Sequence, residues 1–370
     1  MIYLDYSATT PVDPRVLEVF VETSKNYYAN PNSTHDFGVF VKNEIERTSK
    51  QITKLFNTDV HEIIYTSGAT EANNLAIKGV AYNNQAVGKH LITSASEHAS
   101  VSTCFSYLQN NGFDVDIVET DVNGQVDLEM LKEIIRPDTI LVSIGYVNSE
   151  TGIRQEISKI AELIKQYPKV VFHTDITQAV GKIDVSLENI DLASLSGHKI
   201  YGIKGVGALL KKNSVSLSPL IHGGHSTTSL RGGTPSTALV LSFGKALECV
   251  FSEADQRTSK VKKIHDYFLD RLKEIPNFIL NSNRYSIDHI VNFSTMGVEA
   301  KTMQKALSKK SIYISTQMAC SSEKAYSAFI YRLTNDELRA KTSLRVSLSH
   351  FTTIQEIDTL IQSLKEENHS

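Results

Sequence analysis

Cys320 lies in Ile314-Ser315-Thr316-Gln317-Met318-Ala319-Cys320-Ser321-Ser322, a thiol among small polar residues near the end of a chain with three cysteines. Far upstream, Ser196-Gly197-His198-Lys199 sets a lysine among small and polar residues just after an apolar run. A thiolate is a nucleophile, and an amine whose pKa is lowered forms imines with carbonyl compounds. Taken together, the two are halves of one group-transfer reaction. Taken singly, an idle surface cysteine and a solvated lysine are the blander readings.

Other residues with chemical potential sit where apolar runs end. The run 61–66 leads into Ser67-Gly68-Ala69-Thr70-Glu71, whose small residues let backbone amides approach an anion at a helix start; a plain helix cap is the alternative. The run 90–94 leads to Glu97-His98, and a histidine there stacks on a flat ring, shuttles protons or is merely exposed. Asn148 follows the run 139–147, as a ligand amide or a turn residue. Asp175 and Gln178 follow 170–174; an acid at the end of an apolar strand is costly unless it meets a base, a helix N-terminus or a protonated ring nitrogen. Lys199 follows 192–195, and the glycines after it permit close backbone approach.

These runs alternate with helical patterns at 71–82, 100–110, 128–135 and 156–166, which predicts a mostly parallel sheet covered on both faces. Ligands of such sheets sit beyond the carboxyl ends of the strands. Long helices at 238–254 and 259–275 then change the texture. Short strands at 289–294, 311–315 and 343–348 and a closing helix at 354–366 follow. The expected division is a large domain over 16–250 and a small domain over 1–15 plus 251–370, carrying the Cys320 loop.

Composition narrows the classes. A chain of 370 residues suits one large and one small domain. Charge is nearly balanced, with 38 basic and 41 acidic residues and a net −3, so no direct nucleic-acid binding is expected. No signal-like start or membrane-length apolar run is present, which predicts a cytoplasmic protein without membrane contact. Three scattered cysteines form neither a disulfide framework nor a zinc pattern, and no metal site is expected. Cys104 and Cys249 fall in helical patterns and read as core residues.

The ordered motifs resemble the cysteine desulfurases, pyridoxal-phosphate enzymes of the class V aminotransferase family. They include Leu4-Asp5-Tyr6-Ser7-Ala8-Thr9-Thr10-Pro11, Asn30-Pro31-Asn32-Ser33, Thr66-Ser67-Gly68-Ala69-Thr70-Glu71, Glu97-His98, Asp175 with Gln178, Ser196-Gly197-His198-Lys199, Arg231 with Thr234, and Ala319-Cys320-Ser321-Ser322. The resemblance implies an α/β fold of the aspartate aminotransferase-like fold type I, with a large mostly parallel-sheet domain and a smaller α+β C-terminal domain. It implies pyridoxal 5'-phosphate as cofactor, with Lys199 as the Schiff-base lysine, Asp175 on the ring nitrogen and His98 stacked on the ring. Gln178 and Asn148 would lie near the ring's phenolic oxygen. Ala69, Thr70, Ser196 and His198 would cradle the phosphate, and Thr234 would reach a partner subunit's phosphate in a homodimer. Arg345 would clamp the carboxylate of L-cysteine, with Asn148 nearby. Catalysis would rest on Lys199, His98 and Cys320, the last taking sulfur as a persulfide and delivering it to an acceptor protein, an iron–sulfur cluster scaffold or a tRNA-thiolating sulfurtransferase.

The chain departs from the family pattern at Ser226–Thr228, where a glutamate–arginine pair is common, at Ser149 for a second asparagine, at Ile203 for proline and at Ile176-Thr177 between Asp175 and Gln178. None of these removes an expected catalytic group. The rival readings are a selenocysteine lyase or another class V enzyme, and a low-activity scaffold protein that keeps the fold.

Overall fold

The computed structural model describes residues 1–224, 227–316 and 326–368. In chain order it builds β1 (Ile2–Tyr3), α1 (Pro14–Asn26), α2 (Asp36–Leu55), β2 (His61–Thr66), α3 (Ala69–Asn84), β3 (His90–Ser94), α4 (Ala99–Gln109) and β4 (Asp114–Val118). There follow α5 (Leu128–Ile134), β5 (Thr139–Ser143), α6 (Ile157–Ile164), β6 (Val171–Asp175), β7 (Leu192–Ser196), β8 (Gly207–Lys212), α7 (Thr237–Ser252) and α8 (Ala254–Leu272). The remainder forms β9 (Ile279–Leu280), β10 (Ile290–Ser294), α9 (Ala300–Lys309), β11 (Ile312–Tyr313), α10 (Ala328–Thr334), α11 (Glu337–Lys341), β12 (Ser343–Ser347) and α12 (Ile354–Asn368).

Seven strands make the main sheet in the order β2-β8-β7-β6-β5-β3-β4. β3 pairs in parallel with β4 and β5, β5 with β6, and β6 with β7, while β8 runs antiparallel to both β7 and β2. β2 therefore points the same way as the parallel set. The carboxyl ends of β2, β3, β5, β6 and β7 share one edge, and that edge is where the site assembles. β3, β5 and β7 are buried along their whole length, which explains why they carry only apolar, small or uncharged residues and no solvent-facing charges. His173, a fully buried histidine of this sheet, is satisfied sideways, with Nδ1 2.8 Å from Ser143 Oγ and Nε2 2.9 Å from Ser194 Oγ on the flanking strands.

A second core gathers Leu4 with Val261 and Phe268 of α8, Phe293 of β10, Met303 of α9, Val346 of β12 and Leu360 of α12. Its sheet is β12-β10-β9, antiparallel, beside a parallel β1-β11 pair. The first residues of the chain thus pack with the last hundred. From Leu4 onward the backbone returns toward the main sheet: Ser7 N and Oγ meet Ser347 Oγ at 3.0 and 2.9 Å, and Thr10 N donates to His198 O at 3.0 Å.

Two of the expected strands match residue for residue, at 61–66 and 90–94. The run 139–147 is shorter than expected: the regular strand ends at Ser143, and Ile144–Val147 continue as irregular chain into the site. The helices α1 and α2 were not anticipated. Both are only partly apolar, yet each carries local start signals, Pro14 at the first turn of α1 with Asp13 Oδ1 accepting from Arg15 N, and His35 Nδ1 accepting from Gly38 N before α2. Cys104 and Cys249 are buried, as their helical setting implies.

β8 begins against the turn that follows β2. A Cβ at Gly207 would lie 2.6 Å from Gly68 Cα and 2.6 Å from Leu195 O, so only glycine lets the two backbones meet there. Gly207→Ala should therefore cost about 1–3 kcal/mol of stability, read as a fall in the urea midpoint, because the clash is with backbone that cannot swing aside. An unchanged midpoint would mean that this contact is loose.

Candidate active site

At the shared strand edge a cavity of about 620 Å³ is lined by residues from every element expected to reach it, including Ala69, Thr70, His98, Asn148, Asp175, Gln178, Ser196, His198, Lys199 and Arg345. Sequence neighbours do not account for this gathering; the common strand direction does. A larger cleft of about 950 Å³ opens beside the segments leading into β2 and β7. It contains none of the expected site residues, so the smaller cavity is the one with chemistry.

Lys199 ends the short 3-10 turn Gly197–Lys199 after β7. Its Nζ donates to the carbonyls of Ser7 (2.5 Å) and Ala8 (2.7 Å). Two residues on, Tyr201 holds φ +63°, a left-handed conformation that is strained for a bulky side chain. It is held there from several sides: Tyr201 N donates to Thr10 Oγ1 (2.9 Å), the hydroxyl lies 2.7 Å from Ser349 Oγ, and the Arg257 guanidinium sits 4.8 Å from the ring centre.

Asp175 closes β6. Its Oδ1 accepts from Thr177 N (2.9 Å) and its Oδ2 from Asn73 Nδ2 (2.8 Å). His98 caps α4, accepting from Ser100 N at 3.1 Å through Nδ1. Burial chiefly holds the His98 imidazole below its ordinary pKa; Asp175 opposes this, while Lys199 and Arg345 add to it. His198, 3.1 Å from Thr9 Oγ1 through Nδ1, is pushed down to about 4 by burial first and then by Lys199, Lys204 and Lys182.

Gln178 is held at both ends of its amide, with Nε2 donating to Ser7 O (2.9 Å) and Oε1 accepting from Lys182 Nζ. One Nε2–H is left for the cavity. Asn148 is more occupied than its expected ligand role suggests. Its Oδ1 accepts from Glu150 N, Thr151 N and Thr151 Oγ1, and its Nδ2 donates to Ser96 O, so most of its capacity stitches the loops after β3 and β5 together. Arg345, on β12, donates from Nη2 to Asp5 Oδ1 (2.8 Å) and from Nη1 to Ser149 O (2.9 Å), while its buried Nε meets no partner among the described residues. Thr234 is exposed and does not line the cavity of its own chain. Arg231 pairs with Glu71 in the first turn of α3 at 2.9 Å. Cys320 lies outside the described residues, as do His225 and Ser226 of the unusual glycine-rich stretch.

Several polar groups at this edge were not assigned roles from sequence. Asn73 is a fully buried amide on the otherwise apolar buried face of α3, and with Glu71 and Asn74 beside it in the chain nothing local singles it out. Lys182 is half-buried beside Gln178 and is pushed down to about 7, by desolvation first and then by Lys199 and Arg345. Asp5, the partner of Arg345, stands in a quoted motif without a stated task.

These residues fit pyridoxal phosphate. No side chain caps α3, so its first-turn amides, with Ser67, Gly68, Ala69 and Thr70 on the cavity wall, form an anion site for a phosphate. Lys199 would offer an amine for the aldehyde, Asp175 a carboxylate for the ring nitrogen and His98 a flat face. Arg345 Nε and Thr177 Oγ1, both buried without a partner among the described residues, leave hydrogen-bonding capacity at the same edge.

Aminotransferase class-V is the family that matches this chain, over residues 2–360, and the chain belongs to it. Enzymes of that class work with pyridoxal phosphate, and within the class this chain groups with the cysteine desulfurases. Cysteine desulfurase IscS of Rickettsia rickettsii (strain Iowa) is 41% identical over 369 residues, covering 96% of this chain and 88% of its own. The protein of the same name from Methylococcus capsulatus is 37% identical over 373 residues, covering 99% and 92%. Among solved structures, a NifS-like protein superposes with a TM-score of 0.93 at 31% identity over 99% of this chain and 98% of its own. SspA in complex with cysteine does so at 0.84 with 33% identity, over 95% and 100%. The expected fold and cofactor stand on these matches. Among the described residues no group of histidine, cysteine, aspartate and glutamate could hold a metal, and no helix is long and apolar enough to cross a membrane.

Glu97, buried beneath the cavity, makes the site sensitive to pH. Ser94 Oγ and Gly145 N both donate to its Oε1, at 2.5 and 2.9 Å, yet burial still pushes the carboxyl up to about 7, with the charge of Asp175 adding to the rise. The folded chain therefore keeps a proton between pH 4.5 and about 7 that the unfolded chain has released. That contribution is complete below pH 4.5 and is lost as pH rises through about 7. Glu97→Gln should flatten the fall in stability across this window and exceed wild type above it by about 1–3 kcal/mol. Urea denaturation at several pH values checks this; parallel wild-type and variant curves would count against a protonated Glu97.

Proposed function

We propose that this chain takes sulfur from L-cysteine, releases L-alanine and carries the sulfur as a persulfide on Cys320 to an acceptor protein. The observation that carries the reading is the convergence of Lys199, Asp175, His98 and Arg345 on one cavity that also offers an uncapped helix N-terminus. The names of the relatives, and a neighbouring structure that holds cysteine, support the substrate.

When bound, pyridoxal phosphate supplies an electron sink that weakens bonds at the substrate's α- and β-carbons. Arg345 receives the substrate carboxylate through its planar fork, in a position already set by Asp5 and Ser149 O. Lys199, once its amine is displaced, is the base that takes the α-proton, and the carbonyls of Ser7 and Ala8 hold Nζ on the cavity side. The Cys320 thiolate attacks the substrate sulfur. An S–S bond forms, the Cβ–S bond breaks, and the electron pair of the broken bond stays with carbon and is protonated to give alanine. No external oxidant or reductant is required.

Thr234 is exposed and away from its own cavity, which suits a contact with the cofactor of a second copy in a homodimer. The acceptor in this reading is an iron–sulfur scaffold or a tRNA sulfurtransferase, either of which takes sulfur from a persulfide. Selenocysteine lyase and an inactive scaffold are disfavoured, since the relatives are desulfurases and the lysine, carboxylate and imidazole are all in place.

Purified wild type should be yellow, and Lys199→Ala should lose that absorbance; a colourless wild type after reconstitution with pyridoxal phosphate would sink the reading. Cys320→Ala should bind L-cysteine yet carry no persulfide by mass spectrometry. Alanine release at the wild-type rate from that variant would remove Cys320 from the reaction. Arg345→Lys should raise KM for L-cysteine by about tenfold or more through loss of the paired hydrogen bonds, whereas an unchanged KM would place the carboxylate elsewhere.

A further inference from the structure

A chain of hydrogen bonds runs behind the cavity from Asp175 to His98 through two residues with no assigned role. Asn73 is fully buried, and its Nδ2 donates one proton to Asp175 Oδ2 (2.8 Å) and the other to Ser100 Oγ (2.9 Å). The amide orientation follows from chemistry, since only its NH2 side can face a carboxylate. With Ser100 Oγ already accepting, its own hydrogen is free to donate to His98 Nδ1, 2.8 Å away. The backbone N–H of Ser100 donates to the same nitrogen at 3.1 Å.

We propose that Asn73 and Ser100 are positioning residues that lock His98 as the neutral tautomer protonated on Nε2. The Ser100 amide is a fixed donor to Nδ1, and the hydroxyl, with one lone pair taken by Asn73, adds a second donor, so a proton placed on Nδ1 would point at the amide proton. The Nε2–H edge is left to the cavity, and in this state His98 offers a hydrogen-bond donor and a flat face but no lone pair toward a ligand. The task of accepting a proton falls to Lys199. The same chain ties the ring orientation of His98 to the Asp175 carboxylate, because one Asn73 amide group bonds both branches. Burial of His98, which disfavours its charged form, acts in the same direction.

The inference rests on the desulfurase reading only in that His98 faces the cofactor. The tautomer is measured in resting holoenzyme, so an inactive protein and a wrong tautomer are separate outcomes. Nitrogen-15 NMR of histidine-labelled holoenzyme reports which ring nitrogen carries the proton; among twelve histidines, His98 is identified by difference from His98→Gln. Wild type should show a protonated Nε2 and a bare Nδ1. Ser100→Ala should raise the ratio of Nδ1–H to Nε2–H about fivefold, the worth of one net hydrogen bond. Asn73→Leu should move it the same way, though less, because both lone pairs of Ser100 Oγ then compete to accept from Nδ1–H. Ser100→Thr keeps the hydroxyl and should retain the wild-type ratio, which separates the hydrogen bond from repacking. A wild-type proton on Nδ1, or a ratio unchanged in Ser100→Ala, would overturn the proposal; an unchanged Asn73→Leu would remove Asn73 from it.

Discussion

Lys199 Nζ donates to the carbonyls of Ser7 and Ala8, and through these bonds the amino-terminal strap reaches the edge of the seven-stranded sheet. The strap is anchored at one end in the second core by Leu4 and beside β12 by the Ser7–Ser347 contact. At the other end, Thr10 bonds the His198 carbonyl and the Tyr201 amide. A lysine that must be held on the cavity side thus depends on residues about 190 positions earlier in the chain. The strain at Tyr201 persists because these contacts, together with Ser349 and Arg257, leave it no other arrangement.

The same edge shows how charge is accommodated away from water. Asp175 receives two N–H donors, Arg345 an acid and a carbonyl, and Gln178 a carbonyl and a lysine. Buried polar groups with partners stabilise one arrangement, and those without are costly. Where groups without partners border the cavity, binding can compensate them. Arg345 Nε, Thr177 Oγ1 and the uncapped start of α3 all belong to this edge. Glu97 shows the other solution, retaining its proton instead of a charge.

Much of the fold was legible because strands announce themselves as short, mainly apolar runs, and 61–66 and 90–94 match β2, an edge strand, and β3, a buried parallel one, end for end. The run 139–147 was overextended because Ile144 and Val147 are as buried as a strand interior although the chain there has left the ladder. Apolar content reports burial, not hydrogen-bond pattern. The helices α1 and α2 escaped because their apolar faces are narrow and their caps, Asp13 and His35, are single residues. Within the site, Lys199, His98, Asp175, Gln178 and Arg345 were read from motifs and reach the cavity. Asn148 does so too, but its hydrogen bonds go mainly to neighbouring loops, which no motif could convey.

By itself the sequence determined the succession of strands and the polar residue that follows each, and it suggested the pairing of Lys199 with the Cys320 thiol. These are local properties, set by side-chain type and by spacing within a few residues. Tertiary structure alone decided that Asp5 holds Arg345, that Lys182 holds Gln178 from behind, and that Asn73 and Ser100 join Asp175 to His98. The Asp5 and Asn73 bonds cross 340 and 102 positions. The short ones, Lys182 to Gln178 and Ser100 to His98, matter through where β6 and α4 are placed. Their existence depends on which strand ends meet at one edge, and that follows from the direction and order of the sheet.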